Sequence, residues 1–201
     1  AIAAPSVAYH MDGIFIASPF SLQTDFIDVQ RIEVLRGPQG TLFGQNSTGG
    51  AINVISNKPT TDERFSKADI TYGDYGMKQL RSSSNFPISE NVSTKLSLSA
   101  MTREGFTENL ATGQDLDDAH NLSFRTDWMI DVNDTTSLRI FGQYSSVDRN
   151  GAAIRGIDDQ SPGMRKLSQN TISKQELTSS VFAMIFETDL GYASLKIVAS
   201  S

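Results

Sequence analysis

The sequence predicts a mostly β chain in two parts: a compact glycine-rich segment with a short helix, then antiparallel strands of a transmembrane β-barrel. Three observations carry this prediction. Residues 31–50 place Gly37, Gly40, Gly44, Gly49 and Gly50 between two stiff, β-branched segments, so backbone freedom is concentrated in one folded loop. From about Phe65 onward, alternating polar and apolar segments are separated by turn residues, the pattern of outer-membrane strands. Short connections between those segments alternate with long, polar ones.

Composition narrows the class. The 201 residues are 38% hydrophobic and 20% charged, which fits a folded chain of one or two domains. No run of about 18 apolar residues exists, which excludes a transmembrane helix but not a barrel, whose lipid-facing residues occupy alternate positions. A net charge of −6 argues against a nucleic-acid partner, since phosphate binding needs a basic face. The absence of cysteine removes disulfides, thiolate nucleophiles and Cys-based metal sites. The chain opens at Ala1 to Pro5 without Met or a secretory signal and closes at Ser201 in mid-pattern. The expectation is therefore an internal piece of a longer protein.

In the first part, residues 7–16 read as a strand, a turn at Asp12-Gly13 and a second strand, because Asp-Gly between β-formers is a strong hairpin signal. Residues 25–30 carry Phe26, Ile27 and Val29 and predict a short helix. Residues 31–35 alternate, with Ile32 and Val34 on one face, expected to pack a small core, and Arg31, Glu33 and Leu35 on the other. The glycine run that follows is not a phosphate-binding P-loop, since no Lys-Ser/Thr follows the last glycine. Nor is it collagen, because the three-residue period fails at once.

Taken whole, RIEVLRGPQGTLFGQNSTGGAINVIS (residues 31–56) resembles the end of the plug domain of TonB-dependent outer-membrane receptors, whose usual form is (V/I)EVLRGPxGxLYGxxxxGGxINxxT. Almost every position matches, and residues 7–16 are similar to the family's VYVDGVY element. The resemblance implies a plug over residues 1–60 and the first part of a barrel over 61–201, about seven strands of a wall of about 22. It implies an outer-membrane active transporter of a Gram-negative bacterium, powered by a TonB-type inner-membrane complex through a segment absent from these residues. The solute it implies is small and scarce, most often a ferric siderophore, with cobalamin, haem and glycans as others. Glu33, Arg36, Gly37, Pro38, Gly40, Gly44, Gly49 and Gly50 carry the motif, and the family's use of this arginine implies that Arg36 meets barrel-wall carboxylates, expected beyond residue 201. Phe43, where the family has tyrosine, and the neighbouring Gln45 and Asn46 are the candidate ligand-facing residues; the missing hydroxyl leaves stacking or van der Waals contact. No catalytic residue, cofactor or metal is implied.

In the second part, residues 92–102 are the clearest strand, with Val92, Leu96, Leu98 and Ala100 opposite Ser93, Lys95, Ser97 and Ser99. Residues 121–130 set Leu122, Phe124, Trp128 and Ile130 against Ser123, Arg125 and Asp127, and residues 137–144 set Leu138, Ile140 and Tyr144 against Arg139 and Gln143. Arginine and aspartate on one side predict a wet lumen there, with lipid on the apolar side. Trp128, Tyr144, Tyr72 and Tyr192 lie near predicted strand ends, as girdle aromatics do. Further strands are expected at 67–72, 77–86, 174–187 and 192–199. Residues 181–186 are apolar on both faces, so that strand either rests against the plug or bulges. Turns are predicted at 73–76, 87–91, 131–135 and 189–191, and long loops at 103–119 and 147–173. Outer-membrane barrels have short periplasmic turns and longer external loops, which gives the strands a direction.

Other chemistry finds little support. His10 and His120 have no evident nucleophile or second ligand near them, so both are expected to be structural or exposed. Asp115, Asp117 and Asp118, with Glu104 and Glu108, could hold a divalent cation, although a solvated acidic loop is the simpler reading. Three Asn-x-Ser/Thr triplets are irrelevant in a barrel. The rival classes are a porin-like barrel and a soluble adhesive β-sandwich. A porin has no plug before its first strand, and a sandwich gives no reason for connections to alternate short and long. An enzyme is a distant third for want of a nucleophile and base.

Overall fold

The computed structural model describes residues 6–16, 28–43 and 46–201. The N-terminal sheet comprises β1 (Val7–Met11), β2 (Ile14–Phe15), β3 (Val29–Arg36) and β4 (Gly50–Ser56), in the order β2-β1-β4-β3, with a one-turn helix α1 (Gly40–Phe43) before β4. Asp12 and Gly13 both have positive φ, 52° and 86°, as a two-residue type I′ hairpin requires. The turn returns the chain antiparallel, while β1 runs parallel to β4.

Two sequence expectations are corrected here. Residues 25–27 of the expected helix lie outside the described residues, but Val29 and Gln30 open β3, and Asp28 sits at φ 55°, a left-handed conformation that a right-handed helix cannot contain. Ile32 and Val34 do share a face, yet they are 55% and 62% exposed. β3 is an edge strand, and no described residue covers that face.

The second sheet has seven strands: β5 (Phe65–Gly73), β6 (Met77–Ser89), β7 (Val92–Arg103), β10 (Ala119–Asn133), β11 (Thr136–Arg149), β13 (Gln175–Asp189) and β14 (Ser194–Ser200). They follow one another as an antiparallel meander. Three of them are 14 or 15 residues long, more than the about 9–11 that a strand needs to cross a bilayer. The turns at 90–91 and 134–135 are tighter than the sequence suggested. Pro87 stays inside β6, next to a register shift at Pro87/Ser89, because a bulge lets a residue without an N–H sit in a sheet. A second shift at Asp131/Asn133 marks the same end of the sheet.

The sheet is inside out relative to a water-soluble protein. On β10, Phe124 and Trp128 are 42% and 40% exposed, whereas Arg125 and Asp127 between them are 3% and 2% exposed. The same alternation holds along β7, where Leu96 is exposed and Ser93, Lys95, Ser97 and Ser99 are buried. Tyr72, Trp128, Tyr144 and Tyr192 are all exposed, and the Trp128 indole donates to Thr126 Oγ1 on its own strand at 3.1 Å, satisfying its N–H without water. An outward apolar face and an inward polar one suit a wall with lipid outside.

The long connections are not irregular. They contain β8 (Thr107–Asn109), β9 (Gln114–Leu116) and β12 (Lys166–Leu167), which form a three-stranded sheet in the order β12-β8-β9. Leu116 and Leu167 are its buried core. The β5–β6 hairpin is tied to this cap by a Glu104 N–H donated to the Tyr75 carbonyl at 2.9 Å and by the Arg165 guanidinium over the Tyr75 ring.

Candidate functional site

The N-terminal sheet rests on the polar face of the wall, and the junction is built around Asp12. The hairpin turn pushes this carboxylate outward from the end of β1, where it meets Arg125 of β10 and Arg139 of β11. Arg125 Nη2 donates to Asp12 Oδ2 at 2.7 Å, and Arg139 Nη1 lies 3.4 Å from Oδ1. Asp127 takes the other side of the same guanidinium groups, accepting from Arg139 Nε at 2.9 Å and Arg125 Nη2 at 3.1 Å. Two cations therefore alternate with two anions in a closed, buried ring. Ser56 at the end of β4 completes it: its N–H and hydroxyl donate to Asp12 at 3.0 and 2.8 Å, and its oxygen accepts from Arg139 Nη2 at 2.7 Å.

The wet lumen expected at Arg125, Asp127 and Arg139 is corrected by this geometry: these side chains face inward, but the hairpin has taken the place of water around them. Buried charges are tolerated only when paired and hydrogen-bonded, and each charge in the ring has an opposite partner. Burial alone would push the Asp12 carboxyl up, but Arg139, then Arg125, then the Ser56 hydrogen bonds outweigh it and hold the group below its ordinary value.

Apolar packing flanks the ring. Ile14 of β2 sits on Phe141, Ala183 and Ile185 of the wall, with Val181 beside them. Phe141 is also stacked by Arg125 and Arg139, whose guanidinium carbons lie 4.0 and 5.3 Å from its ring centre. Of the two alternatives for the apolar run 181–186, the first holds: Ala183 and Ile185 meet the hairpin while Phe182 and Met184 point outward, and no bulge interrupts the register of β13 with β11. A second ion pair lies beside β7, where Lys95 Nζ is 2.5 Å from Asp28 Oδ2. Asp28 also accepts from Ser83 Oγ at 3.2 Å and Asn57 Nδ2 at 2.8 Å. Beyond β4, Asn85 of the wall grips the connecting chain by accepting from Thr60 N–H and donating to the carbonyls of Thr60 and Glu63.

The glycine-rich loop closes on itself. Gly37 N–H donates to the Gly49 carbonyl at 3.2 Å, Gln39 N–H to Ser47 at 2.9 Å, and Gly49 N–H to Ser6 at 2.7 Å. Gly50 has φ 150°, and a Cβ there would lie 2.4 Å from the Leu35 carbonyl oxygen, so no other residue fits. Pro38 precedes α1, which Gly40 opens. Glu33 accepts from Arg31 at 2.8 Å and from Asn53 at 3.1 Å within its own sheet. Arg36 is exposed at the end of β3 and has no ion-pair partner among the described residues. Asn46 takes φ 62° after the helix, Phe43 closes α1, and Gly44 and Gln45 lie outside the described residues. The acidic residues of the long connections are engaged separately: Asp117 with Thr107, Asp118 with Asn150 and Glu108 with Lys166. His10 is buried against Phe15 at 5.6 Å between ring centres, and His120 is exposed.

Residues 2–51 match the model of the TonB-dependent Receptor Plug Domain. The N-terminal sheet is a TonB-dependent receptor plug. Residues of this chain are 42% identical over 60 positions to the pesticin receptor of Yersinia pestis, spanning 30% of this chain and 9% of that protein. They are 29% identical over 105 positions to the metal-pseudopaline receptor CntO of Pseudomonas aeruginosa, spanning 51% of this chain and 14% of that protein. Among solved structures, the ferric yersiniabactin uptake receptor FyuA of Yersinia pestis superposes with a TM-score of 0.78 at 19% identity, covering 98% of this chain and 32% of FyuA. The ferripyoverdine receptor of Pseudomonas aeruginosa gives 0.74 at 18% identity, covering 96% and 27%. The chain thus spans about a third or less of the relatives it matches. At these identities the structural likeness concerns the fold, a plug against the first strands of an outer-membrane barrel wall.

The ring around Asp12 was missed by the sequence reading, which saw Asp12 only as a turn former. Its signal was present in two places: a carboxylate at a hairpin tip, and Arg125, Asp127 and Arg139 on the inward side of adjacent predicted strands.

Proposed function

We propose that this chain is the plug, residues 1–60, and the first barrel strands, residues 61–201, of an outer-membrane active importer that takes up a metal chelate, most simply a ferric siderophore, and is opened by a TonB-type energy complex. The observation that carries this reading is the fastening of the plug hairpin to the wall by the buried ring of Asp12, Arg125, Asp127 and Arg139. A diffusion pore leaves its lining charges in water, whereas here they are spent on holding the passage shut. Undocking the hairpin would leave Arg125 and Arg139 facing the single carboxylate of Asp127, so opening calls for work from outside the barrel. In this reading the short turns face the periplasm and the cap of β8, β9 and β12 faces outward. FyuA is a ferric yersiniabactin uptake receptor and the Pseudomonas aeruginosa receptor binds ferripyoverdine, which supports the choice of solute.

Within this reading Arg36 meets wall carboxylates beyond residue 201, Glu33 and the motif residues Gly37, Pro38, Gly40, Gly44, Gly49 and Gly50 shape the plug loop, and Phe43, Gln45 and Asn46 face the bound chelate. The test is uptake of radiolabelled iron by cells expressing the full-length receptor, with a panel of ferric siderophores, in the presence and absence of a functional TonB complex. Uptake of at least one chelate that disappears without TonB is expected, and Arg36→Ala and Phe43→Ala should reduce it. Uptake that persists without TonB would make the protein a passive pore.

A further inference from the structure

The two long connections meet beside the start of β10 and the end of β11, and one asparagine fastens them there. Asn150 follows the last residue of β11 and stands beside Asp118, which precedes β10. Its N–H donates to Asp118 Oδ1 at 2.6 Å, and its side-chain Nδ2 donates to the Asp115 carbonyl at 2.9 Å. Next to it, Asp117 N–H reaches the Gly151 carbonyl at 3.4 Å, and Ala153 N–H donates to Asp117 Oδ1 at 3.1 Å. We propose that Asn150 is a self-modifying site: it loses its side-chain amide to the main chain of Gly151, and the carboxylate that replaces the amide unfastens the two connections. No solute or energy partner takes part.

The dipeptide carries the chemistry. Asn150-Gly151 is the only Asn-Gly pair in the sequence. Glycine has no Cβ to block the approach of its nitrogen to the preceding side chain, which makes this the most reactive context for an asparagine. The fold in turn demands the glycine, because residue 151 has φ 33° and a Cβ there would lie 2.6 Å from Ser173 Cβ. The attacking atom is free, since Gly151 N–H has no hydrogen-bond partner among the described residues. Having given its proton to solvent, this nitrogen adds to Asn150 Cγ and closes a succinimide ring. The Cγ–Nδ2 bond breaks, and Nδ2 leaves as ammonia, taking a proton back. Water then opens the ring at either carbonyl, leaving aspartate or isoaspartate. Water is the only co-reactant, and Asn150 and Gly151 are half-buried, within its reach.

The product works against the junction. An amide donor becomes a carboxylate facing the Asp115 carbonyl oxygen, so a hydrogen bond gives way to a contact between two acceptors. The Asp118 carboxylate already lies against the nitrogen of the same residue, and a second negative charge beside it is repelled. Isoaspartate also routes the main chain through the side-chain methylene, which shifts the Gly151 carbonyl away from Asp117.

The test uses the full-length receptor in lipid, incubated at neutral pH in water enriched in heavy oxygen and mapped by peptide mass spectrometry. Asn150 is expected to take up heavy oxygen, as aspartate and isoaspartate, ahead of every other asparagine of residues 1–201; conversion no faster than theirs overturns the site. Hydrogen–deuterium exchange reads the consequence. Asn150→Asp, and the wild type after incubation, should lose protection roughly tenfold at residues 115–118 and 150–153. Asn150→Gln, which cannot close the same ring, should hold its protection through the incubation. Unchanged protection in Asn150→Asp, or a loss on incubation that Asn150→Gln shares, overturns the unfastening.

Discussion

Replacing Asp12 by Asn tests the plug junction directly. The change is nearly isosteric and keeps the Asp-Gly hairpin turn, because Asn tolerates the left-handed φ that Asp12 adopts. It leaves two buried arginines facing one carboxylate. The ion pairs to Arg125 and Arg139 are lost, and the hydrogen bonds from Ser56 weaken. These contacts form one network and do not add. The cost is that of one uncompensated buried charge, about 3–5 kcal/mol. The penalty falls on docking of the hairpin, not on the wall, whose ladder hydrogen bonds are untouched. Hydrogen–deuterium exchange on the full-length receptor in lipid should therefore show residues 7–16 and 50–56 losing protection by a factor of roughly a hundred to a few thousand, with β10 and β11 unchanged. A double variant, Asp12→Asn with Arg139→Gln, restores neutrality and should recover part of the loss, a coupling that independent contacts would not give. Hairpin protection within about twofold of wild type, the range of a neutral surface change, would refute the reasoning.

Further expectations follow from the same geometry. Because the Asp12 pKa is held below its ordinary value of 3.8, the stabilisation is complete above that pH and is lost only as pH falls through the lower, docked value; hairpin protection, corrected for intrinsic exchange, should be equal at pH 5 and pH 7. Phe141→Ala removes the ring that carries Ile14 and both guanidinium groups, and should lower stability by about 3–5 kcal/mol in denaturant titrations of the full-length receptor in lipid. Phe124→Arg puts a charge on the exposed apolar face and should cost about 2–4 kcal/mol if that face meets mid-bilayer, read as a shift in folding equilibrium into lipid vesicles; a neutral result would remove lipid from that face. Gly50→Ala forces a Cβ to within 2.4 Å of a backbone oxygen, and should make the plug sensitive to proteolysis while the barrel stays resistant.

The sequence by itself determined the architecture to a considerable depth. All seven wall strands were legible because a sheet with lipid on one side and polar groups on the other must alternate residue by residue, and residues 92–102 and 121–130 do so with little exception. Asp12-Gly13 announced its hairpin for a local reason, the positive φ at both positions. The helix expected over 25–30 does not include Asp28 to Gln30, where Asp28 is drawn into tertiary contacts with Lys95, Ser83 and Asn57 that override a local preference; residues 25–27 lie outside the described residues. The long loops hid β8, β9 and β12 because those strands are two or three residues long, too short for any period to register.

What only the tertiary structure decided is how the inward polar face is used. Alternation reports that Arg125, Asp127 and Arg139 point away from the apolar side, and it is silent on whether water or protein meets them there. That choice depends on residues 113 and 83 positions away in the chain, Asp12 beside Arg125 and Ser56 beside Arg139. Electrostatic pairing at such separations leaves no trace in local pattern, because it is fixed by where the whole plug settles against the wall.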